Sequence, residues 1–112
     1  MTEPRFGLAS RARGLVVDIL QRHPQVQEAR IFGSRAMNTY RPESDVDLAL
    51  YGDIDEQLAA RIAGELDELP LPYAFDVRAY ACLQHASLRH HIDRVGVLLF
   101  SRDRDAASKT AG

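Results

Sequence analysis

The residues of this chain whose types and spacing can do chemistry are Gly33-Ser34, then Asp45-Val46-Asp47, then a lone Asp76. Aspartates at i and i+2 on a strand project from one face, with Val46 on the other. Two ionised carboxylates on one face repel: at about 4 Å, unit charges interact by roughly 4 kcal/mol at an effective dielectric of 20. A divalent cation converts that penalty into binding. Carboxylate oxygens are the ligands Mg²⁺ prefers, together with substrate phosphates. Asp76, from a later apolar strand, can complete the cage. Two ions held by Asp45, Asp47 and Asp76 can stabilise the entering and leaving oxygens of an in-line displacement. Gly33 lets the backbone approach phosphate closely. Ser34 can donate its hydroxyl and N–H at the start of a short helix. Arg35 and Arg41 are cations placed to meet a triphosphate or a partner's acidic surface. The chemistry these parts suit is metal-dependent transfer from a nucleoside triphosphate. A Gly-Ser step or an Asp-x-Asp alone carries little weight; the ordered combination carries much more.

The elements that must position these residues are legible in the apolar pattern. Residues 8–22 read as a helix with Leu8, Leu15, Val16, Ile19 and Leu20 on its stripe, ended by Pro24. Val26–Phe32 reads as a first strand, and 34–37 as one helical turn. Residues 38–44 read as a loop. Asp45–Tyr51 is a second strand: Val46, Leu48 and Leu50 face one way, and Asp45, Asp47, Ala49 and Tyr51 the other. Asp53 with Glu56 has the spacing of a capping box. The helix after it carries Leu58, Ile62, Leu66 and Leu69 and stops at Pro70. Tyr73–Tyr80 is a third strand with Asp76 and Arg78 on one face. A helix over about 82–92 and a strand over 97–100 complete the order. Alternating helices and strands predict a mixed α/β fold with a short sheet. If the second and third strands are neighbours, the three aspartates share one open face and the helices cover the other. Residues 1–101 form the expected domain and 102–112 a flexible tail.

Composition sets bounds. The chain has 112 residues, the size of one domain. Its 14 basic and 16 acidic residues give a net charge of −2, without the excess of a nucleic-acid binder. No apolar run is long enough for a membrane span, and Met1–Arg5 leads into no signal sequence. One cysteine, Cys82, forbids an intramolecular disulfide and fits a reducing cytoplasm. Cys82 is best read as a small core residue. His85, His90 and His91 lack a partner set for zinc and read as solvated helix residues. Ser34 has no adjacent base and does not read as a covalent nucleophile. The four tyrosines read as core or rim residues.

The segments Ile31-Phe32-Gly33-Ser34-Arg35-Ala36 and Ser44-Asp45-Val46-Asp47-Leu48-Ala49-Leu50, then Phe75-Asp76-Val77, resemble the minimal nucleotidyltransferase family of the DNA polymerase β superfamily. The resemblance extends through Leu66–Tyr73 and His91–Gly96, and so covers most of residues 8–101. It implies a polymerase β-type nucleotidyltransferase fold, with helices mainly on one face of a mixed sheet. It places the family's glycine–serine pair on Gly33 and Ser34 and its metal aspartates on Asp45, Asp47 and Asp76. Members often carry Lys or Arg, then Gly, where Met37 and Asn38 stand here. Small members are usually antitoxins paired with a helical HEPN-domain toxin. In some pairs AMP passes from ATP to a tyrosine of the toxin. The resemblance therefore implies an Mg²⁺-dependent, ATP-using antitoxin, cytoplasmic, with a HEPN partner in a homo- or hetero-oligomer. Two alternatives stand beside it: an antitoxin that inhibits by occlusion alone, and nucleotidyl transfer to a small acceptor such as an aminoglycoside. Against the second, 112 residues leave no obvious acceptor-binding domain.

Overall fold

Among the described residues a helix comes first, followed by a strand, two β-α units and a last strand. The computed structural model describes residues 8–41 and 43–102. The elements run α1 (Ser10–Gln21), β1 (Val26–Phe32), β2 (Val46–Gly52), α2 (Glu56–Asp67), β3 (Phe75–Ala79), α3 (Ala86–Val95) and β4 (Val97–Ser101), with a single 3-10 turn at Tyr80–Cys82. The sheet order is β3-β2-β1-β4. β1 is antiparallel to both β2 and β4, and β2 is parallel to β3. A parallel pair needs a crossover of a dozen or more residues, and α2 supplies it. The second and third strands are thus neighbours, as the shared-face expectation required.

Alternation in the strands decides which residues meet which helices. Val26, Ala29, Ile31, Val46, Leu48 and Leu50 are fully buried and share one cluster with α1 and α2. α1 contributes Ala12, Val16, Ile19 and Leu20, and α2 contributes Ala59, Ile62 and Leu66. Burying each Leu, Ile or Val side chain stabilises the fold by about 1.5–3 kcal/mol. The opposite face is not wholly open. Ile92 of α3 is fully buried against Phe32 and Ala49, flanked by Tyr51, Tyr80, Leu83, Leu88 and Val95. α1 and α2 therefore lie on one face, while α3 covers part of the aspartate-bearing face. Ala49 and Tyr51 supply the apolar surface that draws it there. Tyr51 and Tyr80 stack with ring centroids 4.6 Å apart, and burial pushes the Tyr51 phenol up to about 12.

Several boundaries differ from the sequence pattern for local reasons. Asp55, not Asp53, caps α2: its Oδ1 accepts from Leu58 N–H at 2.8 Å. Buried Ile54 holds the chain against the core, so the helix starts just after it. The helix expected from 82 to 92 is split. Cys82 ends the 3-10 turn, residues 83–85 are extended or irregular, and α3 starts at Ala86 and runs on to Val95. β3 is shorter than expected at both ends. Arg102, the first residue of the expected tail, is anchored next to Ser101 at the end of β4. The Arg102 guanidinium donates to the carbonyls of Val26 at 3.0 Å, His23 at 3.2 Å, Gln21 at 3.3 Å and Leu20 at 3.4 Å. Those include carbonyls that a helix C-terminus leaves unpaired. Residues 103–112, the rest of that tail, lie outside the described residues.

Candidate active site

β1 ends at Phe32, and the chain turns sharply at Gly33, whose φ is +75°. A side chain there would be strained in that conformation, and its Cβ would collide with Asp47 Oδ2. Only glycine lets the turn lie directly against the Asp47 carboxylate. Met37 N–H donates to Gly33 O at 3.1 Å, and Thr39 N–H to Ser34 O at 2.9 Å. Asn38 follows with φ +62°, a left-handed conformation asparagine tolerates. The expected helical turn is therefore present as one closed loop, too short to carry a macrodipole. Phosphate contact at Gly33-Ser34 would rest on individual N–H groups and the Ser34 hydroxyl.

The carboxylates come together through strand register. Asp47 is paired with Phe32 on one side and with Asp76 on the other. Neighbouring strands lie about 4.8 Å apart, so Asp47 and Asp76 are adjacent on one face. Asp45 sits one residue before β2 and is exposed. Val46, between the two aspartates, is fully buried, and its N–H donates to Ala74 O at 2.8 Å. That bond fixes the start of β2 against the segment leading into Asp76.

Charge crowding is visible in Asp47. Burial pushes its carboxyl up to about 6, with Asp76 and then Asp45 adding to the effect, while Arg78 and Arg35 oppose it. An acid raised by burial and then by the charge of its neighbours is one that gains from an added cation. Asp76 is half exposed and paired with Arg78, whose Nε lies 3.3 Å from Oδ1 and whose Nη2 lies 3.4 Å from Oδ2. Among the described residues no three His, Cys, Asp or Glu side chains are gathered tightly enough to hold a metal as they stand. The backbone delivers the acids to one place, and the side chains have still to converge. The donor set is all oxygen and all anionic, which fits Mg²⁺ or Mn²⁺ rather than zinc.

Arg35, expected at the phosphates, is buried at 2 % exposure. Its Nε and Nη2 donate to Ser44 O at 3.2 and 2.8 Å. The rings of Tyr40 and Tyr73 each lie 5.0 Å from its guanidinium carbon. Sequence reasoning did not find this arrangement, because Tyr73 is remote in the chain and no local spacing connects it to Arg35. The Arg78–Asp76 pair was within reach, since both residues share a strand face. A groove of about 260 Å³ runs along the outer edge of β3, lined by Glu56, Ala59, Ala60, Asp76, Arg78 and Leu83 among others. Another surface depression, about 790 Å³ around Gln25, Asp53, Asp55 and Arg61, includes none of the three aspartates. The groove that contains Asp76 is the one relevant to the site.

Comparisons with known proteins agree with this geometry. The family model described as polymerase beta, nucleotidyltransferase, matches residues 15–105. Among curated protein sequences none matches significantly. Among solved structures, the chain superposes on a toxin-antitoxin structure with AMP-PNP at a TM-score of 0.69, with 21% identity, covering 83% of this chain and 76% of that one. A Shewanella oneidensis complex of a tri-AMPylated HEPN toxin with an MNT antitoxin gives a TM-score of 0.64 at 18% identity, covering 87% and 76%. The MntA-HepT toxin-antitoxin gives 0.65 at 18% identity, covering 87% and 76%. At these identities the structures speak for the fold alone. The family match spans most of the sequence and takes in both acid-bearing strands, and by it this chain belongs to the polymerase beta nucleotidyltransferase family.

Proposed function

We propose that this chain is an antitoxin that transfers AMP from ATP to a tyrosine hydroxyl of a HEPN-type partner. The observation that carries the reading is the register that sets Asp47 beside Asp76, against a Gly33 turn that only glycine can make. The likeness to toxin-antitoxin structures, one with AMP-PNP and one with an AMPylated toxin, supports the choice of nucleotide and partner. Such a pair works in the cytoplasm as a hetero-oligomer. Among the described residues no helix is long and apolar enough to cross a membrane.

Asp45, Asp47 and Asp76 would hold two Mg²⁺ ions, which when bound supply charge neutralisation at the triphosphate and the leaving pyrophosphate. Gly33 and Ser34 bind the phosphates through backbone N–H groups and the serine hydroxyl. Asp76, half exposed, orients the incoming tyrosine hydroxyl and takes its proton. The tyrosine oxygen forms a bond to the α-phosphorus as the bond from that phosphorus to the bridging oxygen breaks. Pyrophosphate leaves with the bond electrons. The protein's contribution is mainly position and charge.

The test is incubation with ATP, Mg²⁺ and a HEPN-type partner protein, read by intact and peptide mass spectrometry. AMP on a tyrosine is the expected result. Inhibition of the partner without any transferred nucleotide would replace this reading with occlusion. Transfer only to an added aminoglycoside would replace it with small-molecule modification.

A further inference from the structure

We infer that Arg35 is the positioning residue that ties the Gly33-Ser34 turn and the two acid-bearing segments into one site, and that it works from beneath the site rather than on the nucleotide. The inference rests on the nucleotidyl-transfer reading and deepens it. Arg35 directly follows the Gly33-Ser34 turn. Two of its nitrogens grip Ser44 O, the carbonyl of the peptide bond that leads into Asp45. Its guanidinium touches Tyr73, three residues ahead of Asp76. The remaining face meets Tyr40, inside the connecting loop. One buried cation, carried by the residue that follows the phosphate turn, thus touches the approach to Asp45 and the approach to Asp76.

The described residues of the 36–44 loop lie in no strand or helix that would stiffen it. What it has are short turns, Ser44 N–H to Arg41 O at 2.9 Å and Arg41 N–H to Ser44 Oγ at 2.8 Å. These fix the loop internally and not against the sheet. The planar fork of arginine can bridge a carbonyl and lie between two rings at once; lysine, a point charge on a flexible stem, cannot. A buried cation also offsets the crowded carboxylates when no metal is bound. Loss of the fork should leave the fold standing but let Asp45 drift from Asp47 and Asp76.

The experiment measures Mn²⁺ binding to the metal-free chain by calorimetry, with melting temperature and transfer kinetics alongside. Arg35→Lys is expected to weaken Mn²⁺ binding by about tenfold, the scale of one charge-assisted hydrogen bond. Its kcat per folded molecule should fall by at least as much, with KM for ATP changed far less. Asp55→Ala, which weakens α2 remote from the site, should lower the melting temperature and leave Mn²⁺ affinity intact. A folded Arg35→Lys chain that binds Mn²⁺ within twofold of wild type overturns the inference. If Arg35→Lys does not fold, Tyr40→Leu decides: about threefold weaker Mn²⁺ binding, the scale of one cation–π contact, supports it, and unchanged binding overturns it. A wild-type chain that binds Mn²⁺ but transfers no nucleotide would defeat the proposed function and leave this inference to be judged on Mn²⁺ affinity. A wild-type chain that binds no Mn²⁺ defeats both.

Discussion

Asp47→Asn is expected to move stability and activity in opposite directions. The Asp47 carboxyl is pushed up to about 6 by burial, Asp76 and Asp45, against an ordinary aspartate near about 3.9. That difference corresponds to roughly 3 kcal/mol at about 1.4 kcal/mol per tenfold change. Asp47 is partly exposed, and solvent screening reduces the usable figure to ~1–2 kcal/mol. The folded chain holds the Asp47 proton more tightly than the unfolded chain does. Its stability contribution is therefore complete below about pH 4 and is lost as pH rises through about 6. The asparagine variant has no such loss. In metal-free buffer it should match wild type near pH 4, and the gap should open between about pH 4 and 6 and stay constant above. For a domain of this size the gap is roughly 4–10 °C in melting temperature. Mg²⁺ should stabilise wild type and not the variant, since only a ligand that binds the folded state shifts its melting point. Nucleotide transfer by the variant should be abolished. Thermal denaturation across pH, with and without Mg²⁺, reads all of this. A variant less stable than wild type at pH 8, or a gap that ignores pH, would refute the reasoning.

Other substitutions separate site from scaffold. Gly33→Ala should cost at least about 1–2 kcal/mol from its left-handed backbone, and more from the clash with Asp47 Oδ2; ATP binding by calorimetry should be lost. Gly14→Ala meets open space on α1 and should instead stabilise by about 0.5–1 kcal/mol, as a urea melt would show. Asp55→Ala should cost about 1 kcal/mol through loss of the α2 cap, with unchanged transfer per folded molecule. Arg102→Ala removes donors to four carbonyls around the end of α1. It should lower stability by about 1–3 kcal/mol and speed amide exchange at the end of α1, read by hydrogen-exchange mass spectrometry.

The fold was legible where alternation is clean. Val46, Leu48 and Leu50 announce a strand buried on one side, and the same alternation puts Asp47 on the other. The adjacency of Asp47 and Asp76 was conditional on strand order. Period alone does not set strand order, and the α2 crossover supplies it. α3 could not be placed from its own residues, because its position depends on the patch made by Phe32, Ala49 and Tyr51 from two strands. The cap at Asp55 was obscured by a competing carboxylate two residues earlier, and buried Ile54 settles which one starts the helix. Gly33 was read as a phosphate turn, but its second reason, room for Asp47, belongs to tertiary contact. Arg35 shows the same limit: its type suggested phosphate, while one of its partners, Tyr73, is remote in the sequence.

The most direct test is a crystal structure with Mn²⁺ and a non-hydrolysable ATP analogue, read by anomalous scattering. Manganese should lie between Asp47 and Asp76 with Asp45 as a further ligand, the phosphates against Gly33-Ser34, and Asp76 released from Arg78. Manganese bound elsewhere, or Asp76 still paired with Arg78 while nucleotide is in place, would contradict the account.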